Sequence, residues 1–191
     1  MKKSFEYINT ITAGIGMILS CIGFIYLVVL SSKYGNYWHV IWCSVYGITL
    51  MVLFTSSTLY HGAVSPNIKK RFQIMDHVCI YLLIAGTYTP IALINLYGIW
   101  GISILSVIWI LAILGIVLYI KKIIPFSNYE VLLHLFMGWF SIIGIKQLVN
   151  SIAMNGIILL FSGGLFFTVG VLFYRWKNFK YSHAIWHLFV L

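Results

Sequence analysis

ITAGIGMILSCIGFIYLVVL, residues 11–30, runs for twenty residues without one charged side chain. As an α-helix at 1.5 Å per residue it is about 30 Å long, the thickness of a bilayer's hydrocarbon core. A cleaved signal peptide has a core of about 7–15 residues and a small-residue cleavage site. This run is longer and lacks a clear site, so it reads as a retained membrane helix. The short basic stretch before it, with Lys2 and Lys3, reads as a leader on one side of the bilayer.

Further apolar runs follow at 39–60, 73–96, 99–120, 129–149 and 156–174, with a shorter last one at 181–191. The whole chain of 191 residues is 62% hydrophobic and 8% charged, with a mean hydropathy of +1.01. A soluble domain carries about 25% charged residues, so this chain cannot cover its surface with polar groups. A membrane β-barrel would show alternating segments of about ten residues, which are not seen. The fold class is therefore an all-α integral membrane protein, read as one seven-transmembrane-helix bundle over residues 1–191. Polar links separate the spans, including 62–72 with Pro66, a tight turn at 95–98, 121–128 with a helix-stopping Pro125, and 175–180. Pro90 is expected to kink the third span.

The net charge of +9 could suggest nucleic acid, but the basic residues flank membrane spans, and topology accounts for them better. The leader and the second, fourth and sixth links carry ten of them: Lys2, Lys3, Lys69, Lys70, Arg71, Lys121, Lys122, Arg175, Lys177 and Lys180. Lys33 and Lys146 fall on the other side. Lys and Arg accumulate in cytoplasmic loops, which puts the N-terminus inside and localises the chain to the cell membrane. The last run stops after about 16 Å of helix, half a bilayer, and is read as a truncated seventh helix. Cys21, Cys43 and Cys79 lie in three separate runs with no CxxC spacing, so they read as buried thiols and not a disulfide framework.

That topology gathers the intramembrane polar groups. Ser57 and His61 share a face near the inner end of the second helix, Asp76 starts the third, and His183 and His187 stand four apart at the start of the seventh. Residues i and i+4 lie on one helix face about 6 Å apart. Three histidines plus water is the ligand set of an open, catalytic zinc site. Bound zinc lowers its water's pKa to about 7, which supplies hydroxide at neutral pH. Asp76, the only aspartate, is placed to orient that water and take its proton. Ser57 is placed to hydrogen-bond it or an oxyanion.

Plainer readings stand beside these. His183 and His187 serve as well as interfacial hydrogen-bonding residues, and Asp76 as a helix-dipole partner or a mate for Arg71. Ser57 sits among Thr55, Ser56 and Thr58, all small enough for helix packing. His134 is a possible fourth ligand, but an i,i+4 pair with Glu130 is the preferred reading. His77 points about 100° away from Asp76, and His39 is on the outer side. Trp38, Trp100, Trp139 and Trp176 read as interfacial belt and packing residues.

The stretches Ser57-Thr-Leu-Tyr-His61, Met75-Asp76-His77 followed by Leu-Leu-Ile-Ala-Gly-Thr-Tyr-Thr-Pro90, and His183-Ala-Ile-Trp-His187 resemble the haemolysin III branch of the progestin and adipoQ receptor family. The resemblance implies a seven-helix bundle with an intramembrane zinc near the cytoplasmic face. It implies His61, His183 and His187 as ligands, Asp76 holding the zinc-bound water and Ser57 supporting it. Relatives of that family resemble ceramidases, which implies hydrolysis of a lipid amide. The function expected is thus a zinc-dependent hydrolase of a lipid amide or ester, with membrane lipids as partners and no nucleic acid. A cytolysin, or a receptor or regulator of membrane lipid state with a structural zinc, is the alternative.

Overall fold

The computed structural model describes residues 2–96, 98–122, 126–176 and 178–191. Every element in them is helical: α1 Lys2–Tyr34, α2 Tyr37–Gly62, α3 Pro66–Pro90 with a π-helical turn Ile91–Leu96, α4 Gly98–Ile120, α5 Phe126–Trp139, a 3-10 turn Phe140–Gly144, α6 Ile145–Ser151, α7 Met154–Arg175 and α8 Ser182–Val190. Six helical stretches are long and apolar enough to cross a membrane. α8, at nine residues, rises only about 14 Å and is not one of them. The expectations for Pro125 and Lys177 lie outside the described residues, as does Tyr97 in the 95–98 turn.

The helices run further into the polar links than their apolar runs suggest. The leader is already helical from Lys2, and α3 begins at Pro66, where a missing N–H costs nothing because the first turn has no partner for it. α2 is started by Asn36, whose side-chain oxygen accepts from the N–H groups of Trp38 at 2.9 Å and His39 at 3.2 Å. His39 Nδ1 in turn lies 3.3 Å from the Asn36 N–H, so a histidine completes a reciprocal cap usually closed by Glu or Gln.

Pro90 is followed by a π-helical widening over Ile91–Leu96. Proline has no N–H to return to the carbonyl four residues back, and a wider turn absorbs the mismatch. The fifth span is also interrupted, at Phe140–Gly144. In a bilayer such a break needs internal partners, and Tyr88 of α3 supplies them. Its hydroxyl lies 2.9 Å from the Met137 carbonyl and 3.0 Å from that of Gly138, and accepts from the Ser141 N–H at 2.8 Å.

The helices form a closed ring. Each of α1 to α4 packs on the next, α5 packs on α7, α7 on α8, and α8 returns to α1. α3 is the most enclosed, and the core gathers around its Tyr81, Ile84, Ala85 and Tyr88 with Ile104, Ile108 and Ala112 of α4. Glycines allow the close approaches: a Cβ at Gly16 or Gly47 would strike Phe54 or Phe24 between α1 and α2, and one at Gly115 would strike Tyr81. Without a hydrophobic drive between helices in lipid, this interlocking of small and large residues holds them together. The outer face is apolar, with Ile15, Ile18, Ile22, Ile25 and Tyr26 of α1 between 47% and 65% exposed.

Candidate metal centre

At one end of the bundle the start of α1, the last turn of α2, the start of α3 and the start of α8 meet. His61 lies in that last turn of α2 and is buried. His183 and His187, one turn apart on α8, face it. Ring centroids are 4.7 Å apart for His61–His183, 5.3 Å for His61–His187 and 4.7 Å for His183–His187. One nitrogen from each ring lies within 4.8 Å of one from each of the others. An ion with Zn–N of about 2.0–2.1 Å in tetrahedral geometry spaces its nitrogens roughly 3.3 Å apart, a difference within reach of side-chain torsions.

The donor chemistry fits such an ion. Nε2 of His61 and Nε2 of His183 are buried and make no hydrogen bond. A buried polar atom left unpaired costs on the order of 1–3 kcal/mol, and a cation shared by the three rings would take up these lone pairs. The group could hold a metal, and nothing in its geometry selects one metal over the others that imidazole accepts.

Asp76 and Ser57 stand beside the imidazoles, both buried. They line a cavity of about 30 Å³ together with His77, Tyr174, His183 and His187, room for a water or two. The Ser57 hydroxyl is 3.3 Å from His187 Nε2 and lies beside the Asp76 carboxylate. Thus all five residues singled out from the sequence, Ser57, His61, Asp76, His183 and His187, come to one place.

The other histidines do not join the three-ring group, although His77 lines the cavity beside Asp76. His39 caps α2 at its opposite end. Glu130 does not pair with His134: its carboxylate meets His77 Nδ1 across the α3–α5 contact at 2.8 Å. His134 instead packs its ring against Tyr81, centroids 4.1 Å apart, with Nε2 buried and unpartnered. An i,i+4 spacing allows a pair on one helix, but a neighbouring helix offered Glu130 a better-placed donor.

Two residues at the centre escaped the sequence reading because both lie on α1. Glu6 Oε2 accepts from His61 Nδ1 and from Lys69 Nζ, each at 2.9 Å. Thr12 Oγ1 lies 2.8 Å from His187 Nδ1. A usable signal was present in Glu6, a lone carboxylate in a basic leader on the same side of the membrane as His61.

The family model described as Haemolysin-III related matches residues 1–191. The chain belongs to the haemolysin III-related family. It is 44% identical to Hemolysin-3 of Bacillus cereus over 186 residues, covering 97% of this chain and 85% of that protein. It is 41% identical to the Hemolysin-3 homolog of Bacillus subtilis (strain 168), covering 97% and 87%. The human Monocyte to macrophage differentiation factor is 29% identical over 165 residues, 80% of this chain and 66% of that protein. No solved structure matches the chain. Family and helices together identify this haemolysin III-related chain as a multi-pass membrane protein.

Proposed function

We propose that this haemolysin III-related protein is a zinc-dependent hydrolase of a lipid amide or ester, working at the cytoplasmic side of the membrane. The observation that carries the reading is the meeting of three imidazoles, one carboxylate and one hydroxyl inside an apolar bundle, with Ser57, Asp76, His183 and His187 lining a small cavity. Ionisable groups at such depth are costly to keep and mark functional sites. His61, His183 and His187 would hold the ion, which supplies Lewis acidity and lowers the pKa of water. Asp76 accepts a proton from the attacking water and returns it to the leaving amine or alcohol as the carbonyl carbon exchanges its C–N or C–O bond for a bond to the water oxygen. Ser57, placed between Asp76 and His187, donates to the carboxylate or to the developing oxyanion.

A lipid substrate suits the surroundings. A second, apolar cavity of about 790 Å³ lies alongside, lined by Tyr46, Leu50, Trp139, Phe161 and others, and shares Leu83, Ile84, Phe167 and Val190 with the small one. An acyl chain lying in it would bring its carbonyl to the imidazoles. The cytoplasmic placement rests on the Lys and Arg excess in the links at this end.

Zinc content and turnover test the reading separately. Purified protein is expected to hold one zinc per chain and to lose it on His61→Ala or His187→Ala. Asp76→Asn is expected to keep the zinc and abolish release of fatty acid from a lipid amide or ester. Sub-stoichiometric zinc that is indifferent to both histidine variants would overturn the proposal. The name of the Bacillus cereus relative favours a second reading, cytolysis. Dye release from liposomes that persists after chelation would establish that activity over hydrolysis.

A further inference from the structure

We infer that Glu6 and Thr12 of α1 are positioning residues of the metal centre, fixing the tautomers of His61 and His187 so that both Nε2 lone pairs face one ion. The inference rests on the metal-centre reading above and assigns a role to a helix that contributes none of the three ligands.

Hydrogen positions decide which nitrogen of each ring is free. An ionised carboxylate only accepts hydrogen bonds, so the 2.9 Å contact between Glu6 Oε2 and His61 requires Nδ1 of that ring to carry the proton. A neutral imidazole protonated at Nδ1 has its lone pair on Nε2, the atom of His61 that is buried without a partner. Lys69 Nζ, on the same Oε2 at 2.9 Å, is a second donor to the carboxylate. It thereby ties the start of α3 to the site.

Thr12 performs the matching task on α8. Its hydroxyl hydrogen is directed back to the helix carbonyls of Ile8 and Asn9, each 3.1 Å away. The oxygen is then left as an acceptor for His187 Nδ1 at 2.8 Å, beside the Asn9 backbone, which also hydrogen-bonds this ring. With Nδ1 occupied, Nε2 of His187 is the free nitrogen, 3.3 Å from the Ser57 hydroxyl, on a ring whose centroid lies 5.3 Å from that of His61 and 4.7 Å from that of His183. Carboxylates and hydroxyls that receive the distal N–H of a ligating histidine set its orientation and raise its basicity, and losing one typically costs 10–100-fold in metal affinity.

The test is the zinc dissociation constant of the full chain in detergent, measured by chelator competition, for wild type, Glu6→Ala, Glu6→Gln, Thr12→Val and Tyr7→Ala. Glu6→Ala is expected to weaken binding about 10–100-fold, and Thr12→Val roughly tenfold. Glu6→Gln keeps an acceptor oxygen and is expected to stay within about threefold of wild type. Tyr7, 69% exposed on the same helix, is the control and should change nothing. The cobalt-loaded protein adds a readout that general loosening of α1 would not move. Its d–d spectrum should shift in Glu6→Ala and Thr12→Val and return in Glu6→Gln.

Wild-type affinity and spectrum in Glu6→Ala and Thr12→Val, with zinc still lost in His61→Ala, would overturn this inference and leave the metal centre standing. Tyr7→Ala weakening zinc as much as Glu6→Ala would also overturn it. Failure of the wild type to bind zinc stoichiometrically would remove the metal centre itself. Should Glu6→Ala fail to fold, Thr12→Val, which keeps the side-chain shape, decides alone.

Discussion

Gly170→Ala should damage the metal centre although Gly170 is no part of it. Gly170 lies on α7 where α8 crosses, and a Cβ there would sit 2.6 Å from Phe189 Cβ and 3.0 Å from Trp186 Cε3. The Phe189 atom is adjacent to the backbone and cannot swing away, and ordinary contact begins at 3.4 Å. α8 must therefore yield by about 0.8 Å to restore van der Waals separation. His183 and His187 travel with it, flanking Trp186, while His61 stays on α2. Metal–ligand distances tolerate about 0.2 Å, so the His183 and His187 torsions must absorb this shift on top of closing the rings onto the ion, and overpacking typically costs about 1–3 kcal/mol. The expected result is zinc affinity at least tenfold weaker, about 1.4 kcal/mol, by chelator competition in detergent. Gly163→Ala is the control: it is on the same helix, and an added Cβ meets nothing within 4 Å. It should bind zinc normally and gain up to about 1 kcal/mol from helix propensity. Wild-type zinc affinity in folded Gly170→Ala would refute the reasoning that α7 packing sets the position of α8.

Zinc should raise the thermal midpoint of the wild type by the linkage of ligand to the folded state, about 2.7 kcal/mol at a hundredfold excess over the dissociation constant. The gain should vanish with His187→Ala or a chelator. Glu130→Ala, which leaves buried His77 Nδ1 without its acceptor, should destabilise the bundle by about 1–3 kcal/mol and leave zinc stoichiometry unchanged, as thermal unfolding and metal analysis would show. Tyr88→Phe removes the hydroxyl that serves the break in the fifth span. It should cost about 1–3 kcal/mol and increase amide exchange at residues 137–141 without affecting zinc.

Much of this architecture was legible in the sequence because a bilayer fixes helix length. The six long spans follow from apolar runs alone, and span parity brought Ser57, His61, Asp76, His183 and His187 to one end. What hydropathy could not supply was the local geometry. The π-helical turn after Pro90 and the 3-10 break at Phe140–Gly144 depend on which neighbour can satisfy freed backbone groups, and Tyr88 lies 49 and 50 positions away from the carbonyls it serves. The pairing of Glu130 was misread for a related reason. Spacing along one helix identifies possible partners, but it is silent on the competing donor that a packed helix presents. Glu6 and Thr12 were hidden because a basic leader does not look like part of a site until its helix is seen to begin at Lys2.

The return of α8 to α1 also governs when the centre can exist. Thr12 and His187 are 175 positions apart, so almost the entire polypeptide has to be threaded into the bilayer before the third imidazole arrives. Bringing such distant segments together carries an entropic penalty that grows with the intervening length. An ion gripped by α2 and α8 would repay part of it by clasping the circle of helices shut. Maturation would then end with metal capture, and a cell starved of zinc should accumulate inserted chains whose last helix is more open to proteases than the other helices.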